Sequence, residues 1–237
     1  CSAPSIRGSF MGTGTKYQKF GWDNKLALGL SIGCYYDYRD SLMHWFDVYT
    51  LEKTVRGFVE TKPLMVSFNG ISFDFELMRG LLQQQGDQDR EQSLVDSSHS
   101  SRFIYLQVLC DAFKILCATS YDILAEIWKA DPHSRFRRGL NSLGVISEAN
   151  GYGTKEMDGA TAPKLWAQGR YAEVLNYCSG DVIKTRALFE QIVQTDTILR
   201  GDNQPITLRN PFPSKHTFFF DRALFQAAQH VVETVEP

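Results

Sequence analysis

No stretch of the 237-residue chain holds the run of about 18 apolar residues that a membrane-spanning helix needs, so no membrane insertion is expected. The five cysteines, Cys1, Cys34, Cys110, Cys117 and Cys178, are odd in number and include no Cys-x-x-Cys pair. That pattern argues against a zinc ribbon or a disulfide framework. It points instead to buried free thiols in a reducing, intracellular compartment, either cytoplasmic or organellar. No signal-peptide core opens the chain, and residues 1–22 carry Arg7, Lys16 and Lys19 but no acid, as a processed organellar protein or a trimmed chain would. A formal net charge of -2 gives no global attraction to nucleic acid, so any such binding must use a local patch. Neither G-x-G-x-x-G nor G-x-x-x-x-G-K-[ST] is completed, which leaves Gly12-Thr13-Gly14-Thr15 without a phosphate-loop explanation.

What is present is an ordinary globular composition, 43% hydrophobic and 13% aromatic, in a chain long enough for one large core. Residues 6–13 read as a first strand, 26–36 (LALGLSIGCYY) as a second and 41–49 (SLMHWFDVY) as a third. Thr50 can N-cap a helix whose apolar positions Leu51, Val55, Phe58 and Val59 share one face and which Pro63 ends. LMVSF (64–68) reads as a strand buried on both faces. A helix is predicted from Phe73 to Gln85, stopping at Gly86.

Residues 86–101, polar and Ser-rich, read as an exposed insertion. Then follow a helix over 102–116, a short strand near 117–122, the helix ILAEIWKA, a basic loop at 133–138, a helix near Leu140 and a long helix over 171–193. The order predicts an α/β fold with helices on both faces of a mixed sheet, in a domain spanning 1–196 with an accessory tail at 197–237.

Three segments carry candidate chemistry. In SFNGISFDFE (67–76) a buried strand ends, Asn69-Gly70 turns the chain, and Asp74 falls in the first helical turn, where α/β sheets form ligand sites. A plain helix-dipole role for Asp74 is the structural alternative. In the long helix, Asp181 interrupts the core-facing stripe Val174, Tyr177, Cys178, Val182, Leu188, while Glu173, Lys184, Arg186 and Glu190 are expected to face elsewhere. A carboxylate on that face needs a metal or hydrogen-bonding partners. The third segment is the basic loop with Arg135, Arg137 and Arg138, which reads either as a solvated turn or as a phosphate grip.

The spacing Asn69-x-x-x-Phe73-Asp74, followed about 100 residues later by Tyr177-x-x-x-Asp181, resembles the second and third motifs of the DEDD 3′–5′ exonucleases of the tyrosine subclass. The stretch 10–193 is similar to the bacterial and phage branch of predicted ribonuclease H-like exonucleases. FGWDNKLALGLSIGCYYDY, YDILAEIW and GATAPKLWAQGRYAEVLNYCSGDVIKTRALFE carry the likeness. Asn176 stands where the histidine subclass would place its histidine.

The resemblance implies a ribonuclease H-like five-stranded mixed sheet whose first three strands are antiparallel. It also implies two Mg²⁺ or Mn²⁺ ions about 3.5–4 Å apart, held by four carboxylates. Asp74 and Asp181 would be two of these, with Tyr177 orienting the attacking water and Asn69 and the arginines touching nucleic acid. The other two carboxylates come from a D-x-E at the end of the first strand, where this chain has Gly12 and Gly14.

The resemblance therefore implies a nuclease that has lost all or nearly all hydrolysis and still engages the 3′ end of single-stranded DNA or RNA. A structural or adaptor subunit of a larger protein assembly is the second reading. An engineered inactivation of an active exonuclease is a further alternative, less favoured because alanine rather than glycine would be the usual choice. A conventional active enzyme would need Glu76, Asp37 or Asp158 to reach the metals.

Overall fold

The computed structural model describes residues 26, 29–93, 98–137, 139–154, 157 and 159–212. The predicted first strand at 6–13, with Gly12 and Gly14, lies outside them, as do Arg138 and Asp158.

A tight hairpin opens the described fold, β1 (Gly33–Asp37) pairing antiparallel with β2 (Leu42–Phe46) from Gly33↔Phe46 to Asp37↔Leu42. The predicted strand over 26–36 begins only at Gly33, because Gly29 adopts φ +66° and breaks the extended backbone. Asp37 binds the Arg39 guanidinium through both oxygens, and Asp40 accepts the Leu42 N–H at 3.0 Å, which closes the turn. On one face Tyr35 stacks on His44 and meets Phe58 edge-on.

Helix α1 (Leu51–Thr61) buries Leu51 and Val55 fully and Phe58 and Val59 in part, as the spacing predicts. Thr50 stands at its N-cap but does not cap with its side chain. Its hydroxyl donates instead to Asp47 Oδ1 at 2.8 Å, because Asp47 organises the preceding turn by also accepting the Tyr49 and Thr50 N–H groups. The helix ends at Lys62 in a left-handed conformation, just before Pro63.

The LMVSF segment is shorter and more open than expected. Only β3 (Val66–Ser67) is strand, it is half-buried, and Leu64 is exposed. It pairs parallel with β4 (Tyr121–Asp122).

Between these strands runs a helical hairpin. Helix α2 (Asp74–Ser93) passes straight through Gly86, and α3 (Ser98–Ala118) returns beside it. The described parts of the polar segment, 86–93 and 98–101, are helix rather than loop, and they are largely exposed as expected. Gly86 has no left-handed conformation to stop the helix and sits against Leu106. Arg102 holds the pair by bridging Asp89 of α2 and Glu52 of α1 at 2.9 and 2.8 Å. Leu82, Leu106 and Phe113 are the sealed centre of this lobe of the core.

Helix α4 (Ile123–Ala130) leads into a 3-10 turn, Pro132–Phe136, then α5 (Leu143–Ala149), a second 3-10 turn, Gly159–Thr161, and α6 (Ala162–Ala167). The long helix α7 (Tyr171–Thr195) passes β1, β3, α5 and α6 and ends at a left-handed Asp196. A closing hairpin, β5 (Thr197–Leu199) with β6 (Pro205–Thr207), places Ile198 and Ile206 in the same core as Leu188, Phe189 and Ile192 of α7.

The chain is thus mixed α/β. Its described strands form three two-stranded sheets, β1-β2, β3-β4 and β5-β6; the expected five-stranded sheet is not among them.

Two expectations about α7 change. Lys184 and Glu190 are buried rather than solvent-facing, and Arg186 is half-buried. For Glu190 and Arg186 the reason is the β1-β2 turn, which lies over their side of the helix. Arg186 donates to Glu190 at 2.6 Å, its guanidinium lies 3.9 Å from the centre of the Tyr36 ring, and Tyr38 donates to the same Glu190 oxygen.

Candidate functional site

The turn 67–71 is held by one carboxylate. Asp122 accepts the Ser67 hydroxyl, the Asn69 N–H and the Ile71 N–H at 3.0–3.1 Å, and also the Ala125 N–H that starts α4. A buried carboxylate tolerates its burial when it accepts several such bonds. Asn69 takes a left-handed conformation at φ +68°, and Gly70 is needed for space, since a Cβ there would lie 2.5 Å from that of Ser67. Gly70 O then accepts the N–H of Phe75, and Asp74 enters as the first residue of α2. Among the described residues the Asn69 side chain makes no hydrogen bond, so its amide is free to meet a ligand.

Opposite stands α7. Its Asp181 is half-buried, with Tyr177 one turn earlier on the same face. Asp74 and Asp181, 107 residues apart in sequence, lie within electrostatic range of one another. Cys34 of β1 lies in the field of both, and burial together with these two carboxylates pushes its thiol up to about 12. Asp74 itself is pushed above the usual carboxylate range, first by desolvation and then by the nearby Asp122 and Asp181 charges. Its side chain nonetheless remains open to solvent. Asp74 is thus a carboxylate reachable from outside that lies in the field of two others. Tyr177 is 8% exposed, and the Gly159 turn covers its hydroxyl, where a Cβ would approach to 3.0 Å.

Asp74 and Asp181 lie within electrostatic range of one another, with Tyr177 one turn from Asp181, while the basic loop is held by other partners. Arg135 stacks over the Trp128 ring at 4.7 Å, and Arg137 pairs with Asp202 at 3.6 Å beside the β5-β6 hairpin. Asp131, at the start of this turn, is paired with Arg200. These partners tie the loop to α4 and the closing hairpin.

Asp122 was not among the sequence candidates. Its signal was its position at the junction of YDILAEIW, an aspartate directly before an apolar helix.

The donor set does not fit a two-ion centre. Among the described residues Asp74 and Asp181 lie in each other's field, and the lone pairs of Asp122 are already committed to four donors. A separate group, Asp37, Asp40 and His44, could in principle offer three ligand atoms. Asp37 is occupied by Arg39, and Asp40 binds His44 at 2.8 Å, so this is an ion-paired hairpin turn.

Comparison with protein families, with curated proteins and with solved structures returned no match. Among the described residues no helix is long and apolar enough to cross a membrane. Cys34, Cys110 and Cys117 are free thiols, as expected; Cys178 is not one of them, being disulfide-bonded.

Proposed function

We propose that the chain is a degenerate 3′–5′ exonuclease-type domain of ribonuclease H-like architecture. In this reading metal-dependent hydrolysis is lost or nearly lost, and the cleft between α2 and α7 binds the 3′ end of a single-stranded nucleic acid. The observation that carries the reading is the convergence of Asp74 and Asp181, with Tyr177 one turn from the latter, from segments far apart in sequence. The antiparallel β1-β2 pair and the parallel β3-β4 pair are compatible with part of such a sheet.

Gly12 and Gly14 remove two of four carboxylates. Two remaining carboxylates can hold one Mg²⁺ weakly through its waters, but not the bridged pair that stabilises both the attacking and leaving oxygens. Each 1.36 kcal/mol of lost transition-state stabilisation slows hydrolysis about tenfold. Substitution of the same glycines in an active enzyme would leave an identical site, so natural decay and engineering predict the same chemistry.

Binding is tested by fluorescence anisotropy of 5′-labelled single-stranded DNA and RNA. Affinity should fall as salt rises, because phosphate contacts release counterions. Asp74→Lys should strengthen binding at the cleft. Affinity indifferent to both salt and that substitution would reject the reading. The adaptor alternative is favoured by one observation, the apolar outer side of α3, where Ile104, Val108 and Ile115 are exposed.

A further inference from the structure

Among the described residues the buried charged side chains are Asp122, Glu126, Lys184 and Glu190. The three carboxylates are all answered. Asp122 accepts its four donors, Glu126 pairs with Lys129 and Arg209, and Glu190 accepts from Arg186 and Tyr38. Lys184, 7% exposed, is the exception. Among the described residues its ammonium makes no hydrogen bond and no ion pair. Nor is that ammonium one of the sealed unbonded atoms, so the stem is covered while the charged tip keeps a path to water. A buried cation without an anion is costly, and native chains seldom leave a buried polar group unanswered.

The place of Lys184 on α7 shows where its anion belongs. Tyr177, Asp181, Lys184 and Leu188 follow one another at four, three and four residues, along one face of the helix. Helical side chains lean towards the N-terminus of their helix, over the preceding turn. The Lys184 stem therefore runs towards Asp181, the carboxylate in whose field Asp74 lies, without pairing with it. In a two-ion nuclease centre, divalent cations offset the charge of the phosphate. The donor set here does not fit such a pair, and Lys184 offers a positive charge from the chain itself. An ammonium is a compact point charge with three rotatable donors, suited to a phosphate oxygen.

We infer that Lys184 binds a phosphate group at the Asp74–Asp181 site and that this binding needs no divalent ion. The inference rests on the reading of that site as a nucleic-acid site, where the phosphate belongs to the strand backbone. A free phosphate has the same chemistry, and the test separates the two sources.

Lys184→Met keeps the covered stem and removes the charge. The full chain and this variant are compared by anisotropy of 5′-labelled single-stranded DNA over a salt series, with a divalent chelator present. Their thermal midpoints are compared with and without inorganic phosphate at constant ionic strength. The wild type should bind the strand despite the chelator. The variant should bind about tenfold or more weakly at low salt, for want of one charge-assisted bond. Its log–log salt slope should be smaller by about 0.7, one phosphate contact on a single strand. Without ligand its midpoint should hold or rise, since an unpaired buried charge is gone; a lysine with a purely structural role would lower it. Phosphate should raise the midpoint of the wild type and not of the variant. That phosphate response without strand binding would support a free-phosphate site at Lys184 and reject the nucleic-acid reading alone. Strand affinity and slope unchanged in the variant, strand binding abolished by the chelator, or equal midpoint responses to phosphate would each overturn the inference.

Discussion

Ser67 donates its hydroxyl to the Asp122 carboxylate at 3.0 Å, across 55 residues of sequence. The two sit opposite one another in the parallel β3-β4 pair, and the same carboxylate holds the turn that precedes Asp74. Asp122→Ala would remove a helix cap and orphan two backbone N–H groups. The expected loss is about 3 kcal/mol, from a cap of about 1 and about 1 for each unpaired amide. Urea unfolding reads it. A loss below about 0.5 kcal/mol, the range of ordinary surface substitutions, would mean the turn does not depend on this carboxylate.

Gly86 discriminates between two pictures of residues 86–101. In the structure it lies inside α2 with room for a methyl group, the nearest atom being Leu106 Cβ at 3.5 Å from the added Cβ. Gly86→Ala should therefore stabilise the fold by about 0.5–1 kcal/mol, because alanine loses less backbone entropy in a helix. Had Gly86 ended the helix in a left-handed turn, the same change would destabilise. Thermal unfolding gives the sign.

Gly33 makes the opposite prediction. An added Cβ would come within 2.3 Å of Phe46 Cζ, across the first pair of the β1-β2 register. Gly33→Ala should cost about 1–3 kcal/mol through overpacking. Combining it with Phe46→Leu should recover part of the loss.

Burial pushes the Glu190 carboxyl above its ordinary 4.5, even with Arg186 and Tyr38 donating to it. Between 4.5 and the raised value, the folded state keeps a proton that the unfolded state has released. Stability from this group is therefore full below that window and declines as pH rises through it. Glu190→Gln should flatten that decline, so the stability difference between wild type and variant changes across the window. Arg186→Met should destabilise at neutral pH, leaving Glu190 buried without its cation. Denaturant midpoints from pH 4 upward, about where the unfolded carboxylate titrates, measure both.

The parts of this fold legible in sequence were those with local physical signatures. Leu51 and Val55 announced α1, ILAEIWKA announced α4, and the Val174–Leu188 stripe announced α7. The misread parts depend on contacts distant in sequence. Residues 86–101 look like loop because the partner of a charge such as Asp89 lies outside the segment, in Arg102 of the returning helix, which also reaches Glu52. Glu190 and Arg186 look solvent-facing until Tyr36 and Tyr38 close over them. At the site, motif spacing marked Asp74, Tyr177 and Asp181. The arginine loop was marked by composition alone, and Trp128 and Asp202 account for two of its charges.

The most direct test of the central claim is digestion of 5′-labelled single-stranded DNA and RNA with Mg²⁺ and Mn²⁺. Three proteins are compared: the chain as it stands, Gly12→Asp/Gly14→Glu, and that double variant carrying Asp74→Asn. The account predicts that only the double variant shortens the strands from the 3′ end, and that Asp74→Asn abolishes its activity. An inert double variant, or trimming that survives the loss of Asp74, would contradict it.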